Sequence, residues 1–432
     1  MKLRSKYDRE ILLLALPALG ALAAEPLYVL VDTAIVGHLG TTQLASLAIA
    51  ATVLSTAFTI FNFLTYGTTA QVARLHGAGR DEDAARLGSQ ALWLALGIGL
   101  VLLALLQLGA PAIVTLMGGE GEVKDGAVLY LRISALGAPL FMLASAAQGF
   151  LRGTGDLKTP LLILLAAHTV NAVLEVVFVY GFGWGLAGSA WGTVIAQLGM
   201  AGAFFMVQYR AGLERPHPEK MRPLMRIGSE IAVRTTALTG SFLVGSAVLA
   251  RIGATSLGAH QIAFQLWVFL ALVLDAIAIA GQVMVGRMLG ASDAAGARAA
   301  ATRMIGWSVI VGAAFGLILL ALGDLVPDLF TSDPEVIDKA REIWWIFALT
   351  MPFNGAVFAL DGILIGAGDT RFLMWGMLAA AAVYLPIVVL TYRNGWGIEG
   401  IWWGLAALIA VRLVTCGGRF LGSQWALTGA RA

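Results

Sequence analysis

An acidic residue, Asp32, stands near the end of a mostly apolar run from Glu10 to Val36, a length that can cross a bilayer. A carboxylate in that setting is costly, so it marks an ion or substrate pathway unless it snorkels to the interface. Other polar groups fall at the same depth, which argues for the pathway. Asn171 and Glu175 are four residues apart and share one face of the fifth apolar segment. Glu175 lies about six residues, on the order of 9 Å, from the end of that segment, and Thr193 reaches a matching depth in the sixth. Two carboxylates, an amide oxygen and a hydroxyl can bind a proton or ligate a hard cation such as Na⁺ through oxygen. Carboxylates sharing a low-dielectric site cannot both stay charged without such a partner.

The other half of the chain carries charges of its own. Glu230 and Arg234 are spaced i,i+4 and most simply neutralise each other. Spacing supplies no cationic partner for Asp275 or Asp361, so Glu230 and Asp361 are candidates for a second ion or substrate site. Arg234 reads as the only basic residue away from the segment ends. His168 shares the Asn171 face and could relay protons; a hydrogen-bonded core histidine is the plainer reading.

Several chemistries are excluded. The single cysteine, Cys416, rules out an intrachain disulfide or a cysteine metal site. The five histidines lack metal-ligand spacing. Gly183-x-Gly185-x-x-Gly188 and Gly395-x-Gly397-x-x-Gly400 spell a dinucleotide fingerprint, but both join hydrophobic helices rather than following a strand. They read as tight turns and close-packing glycines. No phosphate-loop motif is present, and no nucleophile, base and oxyanion set emerges. The expectation is a non-enzyme without cofactor or dedicated metal, and the net charge of +2 gives no sign of a nucleic-acid partner.

The elements that must hold these groups are membrane helices. Of the 432 residues 59% are hydrophobic and 12% charged, about half the charged share of soluble domains. Hydropathy places twelve spans, at roughly 10–37, 43–73, 84–109, 126–151, 159–181, 186–209, 224–250, 256–287, 297–322, 336–366, 371–392 and 398–421. The basic start (Lys2, Arg4, Lys6) and Ala21-Leu22-Ala23 imitate a signal peptide. Apolar sequence continues past the mock cleavage site, so the run reads as an uncleaved first helix kinked at Pro17 and Pro26. Most of the 28 Lys and Arg fall in alternate connections. That bias puts both termini in the cytoplasm and the Lys124 loop and the acidic Asp324–Asp338 loop outside.

The halves repeat each other at an offset of 213 residues. Gly149-Phe-Leu-Arg-Gly153-Thr-Gly155-Asp156 matches Gly362-Ile-Leu-Ile-Gly366-Ala-Gly368-Asp369. One residue out of that phase, Gly183-Trp184-Gly185 matches Gly395-Trp396-Gly397. The organisation predicted is a lobe over 1–209, a cytoplasmic linker over 210–223 and a lobe over 224–432. Six helices per copy make the repeats parallel, related by a pseudo-two-fold along the membrane normal. The polar cluster is not duplicated: Asp32, Asn171, Glu175 and Thr193 fall on Gly245, Val383, Ile387 and Leu405. A packing requirement of the fold would recur in both copies, so the asymmetry points to function.

The chain resembles the multidrug and toxic compound extrusion (MATE) family, in particular its DinF-like branch. The resemblance rests on Leu14-Ala15-Leu16-Pro17-Ala18, on Val31-Asp32-Thr33-Ala34-Ile35-Val36-Gly37-His38-Leu39-Gly40, and on Gln148-Gly149-x-x-Arg152-Gly153-x-Gly155-Asp156. It implies twelve helices in two lobes and export of organic, often cationic, compounds against inward flow of H⁺ or Na⁺. A monomer in the plasma membrane is expected. It also implies coupling roles for Asp32, Asn171, Glu175 and Thr193, with Glu in place of the branch's Asp at 175, which favours protonation over direct cation ligation. Other branches place acids where Glu230 and Asp361 stand. A lipid-linked precursor flippase, which needs a cationic cavity, and an intramembrane enzyme are the competing readings.

Overall fold

The computed structural model describes residues 5–323 and 325–429, so Lys2, Arg4 and Asp324 lie outside the described residues. The described chain is helical, and each predicted span has a counterpart. In the first half, α1 (Asp8–Gly37) runs as one helix through Pro17 and Pro26. α2 (Thr41–Phe61) and α3 (Phe63–Gly77) form one long span divided at Asn62, followed by α4 (Asp81–Leu116). α5 (Gly121–Ala135) and α6 (Ala138–Gly153) make a span bent by 47°, with Pro139 at the start of α6 where it ends the α5 hydrogen-bond ladder. α7 (Lys158–Val176) continues into a π-helical turn over Val177–Gly181, and α8 (Gly185–Ala211) closes the half. The second half comprises α9 (Pro218–Ile252), α10 (Ala254–Gly290), α11 (Ala294–Ala321), the short α12 (Leu325–Phe330), α13 (Pro334–Gly366), α14 (Thr370–Asn394) and α15 (Gly397–Leu421).

The chain forms two compact units. One spans Gly20–Gly228; the other joins the stretch up to Leu19 to the chain from Ser229 onward. The start of α1 is fastened within the second of these. Asp8 accepts from Arg303 Nε at 2.6 Å and from Trp307 Nε1 at 2.9 Å, and Glu10 pairs with Arg287.

Each unit is closed by the same glycine contacts. A Cβ on Gly149 would stand 2.7 Å from the Thr65 carbonyl oxygen, and one on Gly362 2.1 Å from that of Ala278. These pairs are displaced by the repeat offset at both partners. Small residues let the helix backbones touch, the packing that lipid-embedded helices rely on.

The change of phase between the copies has a structural cause. Asn171, Glu175 and Val179 are buried, and so are Tyr384, Val388 and Thr391. The spacing is four and four in the first copy, but four and three in the second. The π turn after α7 absorbs the extra residue, as π turns do. Asn171 and Glu175 therefore correspond to Tyr384 and Val388, not to Val383 and Ile387 as the later phase suggested.

Candidate functional site

Asp32 sits five residues before the end of α1 and is buried. Its Oδ1 accepts a hydrogen bond from Ser189 Oγ of α8 at 2.6 Å, and its Oδ2 accepts one from the Tyr130 hydroxyl of α5 at 3.4 Å. Glu175 is 0% exposed on α7. Its Oε1 accepts from Asn171 Nδ2 at 2.6 Å, one helical turn away, while Oε2 meets no donor among the described residues. The Asp32 and Glu175 carboxyls are close enough to act on each other electrostatically. Gly192 suits the close approach of α8 to the acid: a Cβ there would stand 3.1 Å from Glu175 Cγ and 3.3 Å from its backbone nitrogen, a tight contact on both.

Thr193 completes the set less directly. Its Oγ1 shares a 3.0 Å hydrogen bond with the Tyr28 hydroxyl and reaches back to the Ser189 carbonyl oxygen at 3.2 Å. Tyr28 in turn stacks on His168 with ring centroids 4.9 Å apart. The four residues expected from the sequence are thus brought together in one unit. Tyr28, Tyr130 and Ser189 were missed. Spacing held a signal for two of them: Tyr28 lies four residues before Asp32 on its face, and Ser189 four before Thr193.

A cavity of about 250 Å³ opens beside the cluster. Tyr28, Asp32, Asn171 and Thr193 line it together with Glu25 and aromatic rings such as Phe141. Glu25, Tyr28 and Asp32 are spaced i, i+3, i+7 and so form one stripe of α1. A largely apolar chamber with aromatic rings, two acids (Glu25 and Asp32) and one base (Arg152) on its lining suits an organic ligand.

The second unit fills the equivalent space. A Cβ on Gly245 would stand 2.2 Å from the Tyr384 hydroxyl and 3.5 Å from Ile401 Cγ2. Tyr384 occupies the volume that the Asp32 side chain takes in the first copy, and Ile401 stands where Ser189 does.

The other candidate acids are arranged differently from expectation. Asp361 does have cationic partners: Arg234 of α9 and Arg412 of α15 both reach its Oδ2. Arg412 is buried in mid-helix and is a second intramembrane basic residue besides Arg234. Glu230 accepts from the Thr370 hydroxyl of α14, and Asp275 is also engaged. Sequence spacing sees only pairs on one helix, whereas these partners come from three.

The MatE family matches the chain twice, over residues 17–177 and 231–391. The chain belongs to this family. The two matches coincide with the two copies of the repeat. This MatE protein is 31% identical to Protein DETOXIFICATION 44, chloroplastic, of Arabidopsis thaliana, covering 95% of this chain and 81% of the relative. It is 29% identical to DNA damage-inducible protein F of Escherichia coli (strain K12), covering 95% and 92%. Its fold superposes with a TM-score of 0.86 on the crystal structure of MATE in the bent conformation, at 20% identity and over 96% and 94% of the two chains. The MatE protein is therefore a multi-pass membrane transporter of the multidrug efflux family, not an enzyme, and the family couples transport to H⁺ or Na⁺.

Proposed function

We propose that this chain exports lipophilic or cationic organic compounds as a monomer, in antiport with a cation loaded at Asp32 and Glu175. The observation that carries this reading is two buried carboxyls that act on each other and whose hydrogen bonds come from hydroxyls and an amide. A buried acid pair needs a positive partner, and a partner that comes and goes is a coupling ion. The oxygens are nearly all spoken for: both of Asp32 receive hydroxyl donors and Glu175 Oε1 receives the Asn171 amide. Two oxygens of the cluster are left without a donor among the described residues, Glu175 Oε2 and the Asn171 amide Oδ1, which is room for a proton but short of the roughly six oxygens that a hard cation takes. H⁺ is accordingly our choice over Na⁺.

The ion drives the cycle only if the two states of the transporter hold it differently. Loaded from outside, it neutralises the acids and disfavours a cationic compound in the adjoining cavity. Released to the inside, it leaves carboxylate charge that attracts one. In proteoliposomes with separately imposed gradients, an inward-directed pH gradient should drive counter-movement of an organic cation such as ethidium, and a Na⁺ gradient at constant pH should not. No ethidium movement under either gradient would overturn the antiport reading; movement under Na⁺ alone would reverse the choice of ion.

The orientation proposed has both termini in the cytoplasm of a plasma membrane, supported by the bias of basic residues towards alternate connections. Glu120, in the connection before α5, and Pro334, at the start of α13, are exposed, and this orientation puts both outside. In a Cys416→Ser background, Glu120→Cys and Pro334→Cys should each react with an impermeant maleimide in intact cells. Reaction from the cytoplasmic side alone would invert the topology.

A further inference from the structure

The connection from α8 to α9 is short, lies within the unit Gly20–Gly228, and has its backbone held by buried side chains of α4. Ser89 Oγ accepts from the Glu214 amide at 2.8 Å and donates to the Glu214 carbonyl oxygen at 3.0 Å. Trp93 Nε1 reaches the same oxygen at 2.9 Å. Gln90 Nε2 donates to the Arg215 carbonyl oxygen and Gln90 Oε1 accepts from the His217 amide, both at 2.8 Å. Ser89 and Gln90 are buried. With these backbone groups satisfied, the connection turns its side chains outward. Leu213, Arg215 and His217 are exposed, as are Arg210 at the end of α8 and Arg222 in the second turn of α9.

The cations of this stretch are not matched by acids. Lys220 is bound to Glu214 at 2.7 Å. Arg210, Arg215 and Arg222 form no ion pair among the described residues, and the stretch holds one further acid, Glu219. The α3–α4 and α10–α11 connections differ. Arg80 pairs with Asp83, and Arg86 with Glu82 and Asp83, in the first. Around the second, Arg287 pairs with Glu10 and Arg303 with Asp8. Apolar side chains are mixed in with the unmatched arginines: Tyr209, Met225 and Leu213 are 60%, 56% and 41% exposed. Arg222 and Met225, three residues apart, share a face of α9.

We propose that the α8–α9 connection is a binding surface for the headgroups of anionic phospholipids. A phosphodiester supplies the negative charge that the three arginines lack, and the guanidinium fork matches phosphate oxygens. The connection joins two membrane spans, so it stands where headgroups lie, the place at which clustered basic residues select anionic lipid. Acyl chains cover the exposed Tyr209, Leu213 and Met225, which a free phosphate ion would leave in water. Cation and apolar side chain alternating along one ordered strap fit a ligand that carries both characters. The inference goes beyond the antiport, and neither export nor coupling enters its test.

The full-length protein is to be purified in a neutral detergent with equal amounts of dioleoyl phosphatidylglycerol and dioleoyl phosphatidylcholine. Native mass spectrometry then counts the lipid it retains. The wild type should retain phosphatidylglycerol over phosphatidylcholine several-fold. Arg210→Gln, Arg215→Gln and Arg222→Gln should each lower that preference, and the triple variant should lose most of it. Arg80→Gln with Arg86→Gln removes arginines already paired with acids and should keep most of it. Added glycerol 3-phosphate should not displace the retained lipid. Equal retention of the two lipids by the wild type would overturn the proposal, as would an undiminished preference in the triple variant. A fall in the Arg80 and Arg86 double variant equal to that in the triple variant would reduce the effect to net charge and overturn the site. Displacement by glycerol 3-phosphate would make the surface a site for free phosphate and not for lipid. The single variants decide the matter if the triple variant cannot be purified.

Discussion

Asp32→Asn should bring gradient-driven export down to the level of empty liposomes while the protein inserts and melts at or above the wild-type midpoint. The asparagine keeps the shape of the acid, and the Ser189 and Tyr130 hydroxyls that face it can turn to give or accept. An amide costs less in a membrane interior than a carboxylate, and its neighbour Glu175 loses a like charge. What disappears is the ability to differ in charge between states, without which an ion gradient cannot move the equilibrium. Export by Asp32→Asn at the wild-type rate under a pH gradient would remove Asp32 from the coupling role and leave Glu175 to carry it alone.

The reverse pattern is expected at Asp361. Asp361→Asn should lower stability by about 3–5 kcal/mol, because it leaves buried guanidinium charge without its counterion. Arg234 and Arg412 both converge on this carboxylate, and Arg412 is buried in the middle of α15. The thermal midpoint should fall well below that of Asp32→Asn, and residual export should track the fraction that remains folded. Removing acid and base together, as Asp361→Leu with Arg412→Leu, should recover part of the loss, since replacing a buried ion pair by apolar groups is often neutral. Arg234 then still has Glu230 one turn away. An Asp361→Asn protein that melts with the wild type would show that these arginines are solvated or otherwise compensated.

The contrast between the two acids could not have been drawn from spacing. Asp32 and Asp361 look alike as lone carboxylates in apolar runs. One proves to be surrounded by hydroxyls and a second acid, the other by two arginines. Each helix contributes one or two of these groups, and the rotation that aims them at a common point is a property of helix packing.

Much was nonetheless legible in the chain alone. Twelve spans follow from apolar runs long enough to cross a bilayer, a local property that no packing can reverse. The duplication is written in glycines whose Cβ would strike a neighbouring backbone, such as Gly149 and Gly362. Asn171 and Glu175 announced themselves because i,i+4 partners share a face on any helix, and they do hydrogen-bond. Tertiary structure decided the rest. Ser189, Tyr130 and Tyr28 join the site from other helices or by a turn whose facing depends on those helices. Arg412 finds Asp361 across 51 residues. The π turn after Val176 shifts the first copy by one residue, which in a helix is a rotation of about 100°. A single-residue change of phase is nearly silent in a sequence comparison, yet it decides which side chains of α14 correspond to Asn171 and Glu175 of α7.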